Sequence, residues 1–211
     1  MAVIAEIKRR SPSKGDLFAD LDASAVAAQY AEGGATCLSV LTDETWFGGS
    51  VADLQSARDA VGLPVLRKDF TVDARDVVDA RLMGADCVLL IAAALDDAEL
   101  ADFYTLAREL GLDVLVEIHD EDELERALTV GADLIGVNQR DLVTFAVDQE
   151  RAVRMAPQMP EGVVRVAESG VRDRADAAAL AEAGYHALLV GETLVTSGAP
   201  AAEIGRLRGL S

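Results

Sequence analysis

A single (β/α)8 barrel over residues 1–211 is the fold this sequence predicts, and three observations predict it. Short apolar runs alternate with helix-period stretches eight times. The spacing of the runs is nearly regular, and no linker interrupts it. A glycine recurs at one point of the unit, where a helix ends and a strand begins. The runs centre on Ile4, Leu38, Val65, Val88, Val114, Ile135, Val164 and Leu188, at spacings of 34, 27, 23, 26, 21, 29 and 24 residues. Each interval holds one strand, one loop and one helix, and eight such units close most economically into a barrel.

The elements follow in order. The first strand, around Ile4, runs out to Glu6 and Lys8. The second follows Gly34-Ala35 and holds Cys37; the third, around Val65, reaches Lys68. Helix-period residues 74–83 and Gly84-Ala85 lead into the fourth, which holds Cys87. Helix 98–110 precedes the fifth strand, which ends at Glu117. Helix 121–130 and Gly131-Ala132 precede the sixth, which ends at Asn138. The seventh ends at Glu168, and helix 174–183 with Gly184-Tyr185 leads into the eighth, which ends at Val190-Gly191. The four glycines lie 50, 47 and 53 residues apart, the period of two βα units.

Composition narrows the function. The 211 residues are 51% hydrophobic, enough for a sizeable core. Thirty-seven Asp and Glu against 19 Lys and Arg give a net charge of −18. That field repels phosphate backbones and anionic lipid, so neither nucleic acid nor a membrane surface is an expected partner. With no signal peptide and no run of 18 apolar residues, a soluble cytoplasmic protein is expected. Cys37 and Cys87 sit in apolar runs and read as buried small hydrophobes, with no metal-ligand spacing. Nothing in the sequence reports the oligomeric state, and a monomer is the default expectation. Arg outnumbers Lys 16 to 3, and Asp outnumbers Glu 22 to 15. High-GC codon use accounts for the first bias; adaptation to a salt-rich cytoplasm accounts for the arginines and the net charge together.

The odd strands carry the chemistry. Lys68, Glu117 and Glu168 each lie six residues after a glycine (Gly62, Gly111, Gly162), so they fall at one height at the C-terminal ends of strands 3, 5 and 7. Glu6 and Lys8 lie two apart on strand 1, hence on one face. Alternate strands fill a barrel layer together, so these five groups are expected to converge in the mouth. One charge at a strand end is ordinarily the first solvated residue. Five at matching positions, including two of only three lysines, indicate a site. The turns after strands 7 and 8, Ser169-Gly170 and Gly191-Glu192, form an expected phosphate cradle. The loop Arg9-Arg10-Ser11-Pro12-Ser13-Lys14-Gly15, with Lys8, is an expected landing cluster of four cations for an anionic substrate.

Read together, these stretches resemble indole-3-glycerol phosphate synthase, an enzyme family of tryptophan biosynthesis. The motifs are residues 5–15, Leu38-Ser39-Val40-Leu41-Thr42 with Phe47-Gly48-Gly49-Ser50, Pro64-Val65-Leu66-Arg67-Lys68-Asp69-Phe70, Leu115-Val116-Glu117-Ile118-His119, residues 136–142, residues 167–170 and Val190-Gly191-Glu192. They occur in order over the whole chain. The resemblance implies a (β/α)8 lyase that uses neither metal nor organic cofactor. Its phosphorylated small-molecule substrate is 1-(2-carboxyphenylamino)-1-deoxyribulose 5-phosphate, whose pyrrole ring closes with loss of carbon dioxide and water. It further implies Lys68 as general acid, Glu117 as acid or base in dehydration, and Lys8 on the substrate carboxylate. Glu6 and Glu168 would fix the lysines, with Asn138, Arg140 and Ser169 as hydrogen-bonding partners. Ser11, Gly170, Gly191 and Glu192 would take the phosphate, and Pro12, Phe47, Phe70, Leu89 and Leu142 the aromatic ring. Plain packing at the barrel rim is the alternative for the two Phe. A lysine in such a mouth is expected to have its pKa drawn down towards neutrality, against the pull of the carboxylates.

The chain departs from the family pattern at two points. The family's helical extension does not precede strand 1 in this sequence, so either it was removed or lost or the sequence is a fragment, and weakened substrate binding with the catalytic set retained is the expectation. Gln139 stands where Asn, Ser or Ala is usual. Other phosphate-binding barrels, such as phosphoribosylanthranilate isomerase, use Cys or Asp at strand ends, whereas Cys37 and Cys87 lie inside strands. A catalytically silent phosphate-binding barrel is the alternative from another class. His119 and His186 receive no role.

Overall fold

A computed structural model describes residues 1–141 and 143–209. Eight parallel strands close on themselves: β1 (Ala2–Ile7), β2 (Cys37–Leu41), β3 (Val65–Lys68), β4 (Cys87–Ile91), β5 (Asp113–Ile118), β6 (Leu134–Asn138), β7 (Val164–Glu168) and β8 (Ala187–Val190). Each strand pairs with its sequence neighbours, and β1 pairs with β8 from Ala2 opposite Ala187 to Ala5 opposite Val190. The barrel is therefore closed, as the strand count predicts.

Eight helices lie outside: α1 (Ala23–Glu32), α2 (Val51–Ala60), α3 (Ala74–Met83), α4 (Asp97–Glu109), α5 (Glu121–Thr129), α6 (Arg151–Met155), α7 (Arg174–Glu182) and α8 (Pro200–Arg208). Short helical turns at Glu44–Phe47 and Glu192–Thr196 sit in the loops after β2 and β8. Asp22, Asp43, Asp73, Asp96, Asp120 and Asp173 each accept backbone N–H groups at a helix start. Capping requires a short acceptor side chain, which is a structural reason for part of the Asp excess. Gly34, Gly84, Gly131 and Gly184 all have positive φ, between 79° and 96°, after helices α1, α3, α5 and α7. The recurring glycine is thus a helix stop in four places.

Side chains alternate across each strand and divide the core in two. Outward residues such as Val3, Leu38, Val88, Val116 and Ile135 pack under the helices. Ile4, Leu66, Cys87, Leu89, Leu115, Val166 and Leu189 fill the barrel interior. Both cysteines belong to the bottom of that interior, where burial raises the Cys37 thiol to about 12 and raises Cys87 further. Above this plug the inward positions become Glu6, Lys68, Glu117, Asn138 and Glu168. The apolar interior forms the floor of a mouth.

Candidate active site at the C-terminal mouth

The mouth holds a cavity of about 550 Å³. Its walls include Glu6, Lys8, Ser11, Pro12, Phe47, Lys68, Phe70, Leu89, Glu117, Asn138, Arg140, Glu168, Ser169, Gly170, Gly191 and Glu192. The structure therefore brings together every residue that the family resemblance assigns to the site except Leu142, which lies outside the described residues. Strand register does this work. Asn138 on β6 is level with Glu168 on β7, and Ile91 on β4 is level with Glu117 on β5.

Lys68 is the centre of the arrangement. Its Nζ lies 2.9 Å from Glu117 Oε2 and 3.8 Å from Glu168 Oε2. The lysine side chain is 16% exposed, whereas the two carboxylates are 1% and 2% exposed. Asn138 Nδ2 donates to Glu117 Oε1 at 2.9 Å, and Arg140 N–H donates to Asn138 Oδ1 at 3.0 Å. A second ion pair, Lys8 to Glu6 at 2.5 Å, stands at the end of β1.

The charges set one another's protonation. Burial pulls the Lys68 ammonium down, but Glu117, Glu168 and Glu6 outweigh it and hold the pKa above its ordinary value. The expected drop towards neutrality is thus reversed, because three carboxylates face one buried ammonium. Burial raises the Glu117 carboxyl, but Lys68, Asn138 and His119 overcome it and hold it below the usual range. Burial and the neighbouring Glu117 and Glu6 push Glu168 well above that range, although Lys68 opposes them. The shifts thus favour the charged Lys68–Glu117 pair and bias Glu168 towards its protonated form. Adjacent buried carboxyls on a single cation partition in this way.

Two glycines make the space. A Cβ at Gly136 on β6 would sit 2.0 Å from Glu168 Oε1, and one at Gly191 would sit 2.3 Å from Glu6 Oε1 and 3.0 Å from Lys8 Nζ. Strand β6 and the turn after β8 contribute voids into which the acids of the odd strands fold.

The cation-rich loop behaves differently from expectation. Arg9 turns away to grip Asp53 through both guanidinium nitrogens, at 2.5 and 2.8 Å, and the Leu21 carbonyl at 2.8 Å. Arg10 faces Asp16 at 3.9 Å. Of the cluster's four cations, Lys8 and Lys14 line the cavity. A guanidinium that ties two loops together is withdrawn from the ligand. Lys14 reaches Glu192 at 3.0 Å, and Arg140 reaches the same carboxylate at 3.8 Å. Ser11 Oγ is buried with no partner among the described residues. Phe47 and Phe70 face one another across the rim, their centroids 6.4 Å apart and tilted by 44°.

Several cavity residues escaped the sequence reading. Phe145, Val147 and Gln149 return to the mouth because Arg140 bridges antiparallel to Val147, a contact that no periodicity announces. His119 lies in the loop, as its position implies, but its ring folds back. Nε2 is 3.5 Å from Glu117 Oε1, and Nδ1 is 3.1 Å from Glu123. Its spacing of two from inward-facing Glu117 is the signal that could have found it. His186 caps the opposite end, where its Nδ1 accepts the Arg165 N–H.

A closed parallel barrel with an acid–ammonium–acid cluster at its C-terminal mouth defines a (β/α)8-barrel enzyme equipped for proton transfer. Solved structures agree on the fold. A 3-hexulose-6-phosphate synthase superposes with a TM-score of 0.77 at 20% identity, over 100% of this chain and 99% of its own. A thiamine phosphate pyrophosphorylase from Pyrococcus furiosus gives 0.72 at 15% identity, over 99% and 94%. The chain belongs to the indole-3-glycerol phosphate synthase family, whose sequence model matches residues 1–207. Relatives carrying that name are 52% identical in a Nocardioides species, over 99% of this chain and 80% of the relative, and 54% identical in Paenarthrobacter aurescens, over 95% and 74%. The family is a lyase family of tryptophan biosynthesis. Among the described residues no helix is long and apolar enough to cross a membrane.

Proposed function

We propose that this chain performs the family's ring closure, converting 1-(2-carboxyphenylamino)-1-deoxyribulose 5-phosphate to indole-3-glycerol phosphate with release of carbon dioxide and water. The observation that carries the proposal is the Lys68 ammonium held between Glu117 and Glu168 above an apolar floor. Its elevated pKa keeps the acid loaded with a proton at neutral pH.

Lys68 donates that proton to the substrate's ketone oxygen as the anthranilate ring carbon bonds to the ketone carbon. Departure of carbon dioxide returns its electron pair to the ring. Glu117, ionised because Lys68 and Asn138 stabilise its charge, takes the proton released as the new double bond forms. Lys8 pairs with the substrate carboxylate and protonates the departing hydroxyl, which leaves as water. Glu6 and Glu168 hold the two lysines, while Asn138, Arg140 and Ser169 orient catalytic groups and substrate. Ser11, Gly170, Gly191 and the Glu192 N–H take the phosphate, a role supported by the unpartnered Ser11 hydroxyl. Pro12, Phe47, Phe70 and Leu89 supply the apolar wall for the aromatic ring, with Leu142 assigned to it from the sequence. Folding a flexible substrate against these walls supplies much of the rate by itself.

The test mixes protein with substrate and follows indole fluorescence. Wild-type protein gives a growing signal, and Lys68→Ala gives none while still binding inorganic phosphate. Turnover retained by Lys68→Ala refutes the assignment of the acid. Phosphate binding without any wild-type turnover would instead favour a silent barrel.

A further inference from the structure

The turn after β7 is built in a way the motifs do not explain. Ser169 and Gly170 both have positive φ, 63° and 74°. Three successive carbonyl oxygens of this turn are held by side chains from elsewhere. Gln139 Nε2 donates to the Ser169 carbonyl at 2.7 Å, Gln149 Nε2 to the Gly170 carbonyl at 2.8 Å, and Thr193 Oγ1 to the Val171 carbonyl at 2.7 Å. Gln139 follows the end of β6 and is 2% exposed; Gln149 precedes α6; Thr193 belongs to the turn after β8.

A trans peptide is planar, with its C=O and the following N–H pointing in opposite directions. Fixing the Ser169 carbonyl therefore fixes the Gly170 N–H, and fixing the Gly170 carbonyl fixes the Val171 N–H. Among the described residues neither of these N–H groups has an acceptor. The next N–H, of Arg172, is satisfied by Asp176 at 2.9 Å. The two donors left free are thus the two whose peptide planes the glutamines set. Gly170 and Val171 both line the cavity, so their unpartnered N–H groups are available to an anion there. A side chain at Gly170 would bring its Cβ to 2.7 Å from Val147, so the turn is also closed to substitution from that side.

We propose that Gln139 and Gln149 are positioning residues that aim the Gly170 and Val171 N–H groups at the substrate phosphate, while Thr193 anchors the far end of the turn at the Val171 carbonyl. The inference rests on the phosphate assignment made above and adds the groups that create the cradle. The Gln139 side chain spans from the end of β6 to the Ser169 carbonyl. No proton of the reaction passes through these side chains, so their loss acts on binding.

The test uses Gln139→Met and Gln149→Met, which keep the length of the side chain and remove the donor. Thr193→Val and Thr193→Ser form a second pair. KM for the substrate, the inhibition constant of inorganic phosphate and kcat are measured for each. Loss of one neutral hydrogen bond predicts that KM and the phosphate constant rise together, by about threefold to tenfold, with kcat changed far less. Thr193→Ser, which keeps the hydroxyl, is expected to stay near wild type while Thr193→Val follows the methionine variants. A folded Gln149→Met protein that binds phosphate and substrate as tightly as wild type overturns the proposal; Gln149 is only half-buried, so this arm survives if Gln139→Met fails to fold. A fall in kcat with an unchanged phosphate constant also overturns it, by assigning the glutamines to the acid–base groups. If wild-type protein shows no turnover, the function reading fails, and the phosphate constants alone still decide the tether.

Discussion

Gly136→Ala isolates the role of empty space in the mouth. The added Cβ would stand 2.0 Å from Glu168 Oε1 and 3.2 Å from Leu115 Cδ1. Non-bonded carbon and oxygen do not approach within about 3 Å, so the carboxyl must withdraw by roughly 1 Å. Glu168 is the movable partner, because it ends in a carboxyl whose Oε1 has no hydrogen bond, whereas β6 is locked by register on both sides. Overpacking of this size costs about 1–3 kcal/mol of stability, which a closed barrel tolerates. Displacing a group that holds the catalytic ammonium by about 1 Å costs on the order of 100-fold in rate. The assay pairs thermal unfolding with steady-state indole fluorescence. Near-native melting with kcat reduced at least tenfold is the expected result. A folded Gly136→Ala protein with kcat within about twofold of wild type would refute the argument that Glu168 requires this void.

Three further outcomes are expected. Glu168→Gln should be more stable than wild type near neutral pH and slower in turnover. The folded carboxyl titrates above its ordinary 4.5, so wild-type stability falls as pH rises from 4.5 through the folded value, by about 1.4 kcal/mol per unit of that rise, and Gln removes the slope. Equal slopes for the two proteins in urea titrations from pH 4 to 8 would count against this. Tyr30→Phe removes a buried hydroxyl that donates to the Glu6 carbonyl at 3.0 Å, and should cost about 1 kcal/mol at pH 7. Burial raises that phenol above 10, so its stabilising contribution is lost as pH climbs past 10, and the variant should lose stability less steeply there; parallel alkaline curves would contradict it. With a net charge of −18, raising KCl from about 0.1 to 1 M should raise Tm by screening self-repulsion, and a flat or falling Tm would dismiss that account.

The barrel was legible because its signals are local and repeated. All eight predicted strand centres fall within strands, and the helix over 74–83 matches to the residue, since Asp73 caps its start and Gly84 its end. The convergence of Glu6, Lys8, Lys68, Glu117 and Glu168 was legible because β-strand alternation and strand-end position follow from spacing alone. Two kinds of information were not. The fate of Arg9 depends on Asp53, 44 residues away, so a basic sequence cluster became a structural tether. The direction of the Lys68 shift depends on how many carboxylates face it in three dimensions, and three outweigh the desolvation that the sequence reading emphasised. Gln139 and Gln149 were illegible for the same reason: an amide aimed at a carbonyl on another loop leaves no periodic trace.

The voids at Gly136 and Gly191 bear on transplantation. A designer moving this chemistry to another barrel would copy the lysines and glutamates, the residues that a motif displays. On a host with alanine or valine at those two positions, one on β6 and one just after β8, the carboxyls would be forced off their lysines, leaving unpaired buried charges. The portable unit is therefore the five ionisable side chains together with two absent ones, and a graft should specify its hydrogens at Cα as deliberately as its charges.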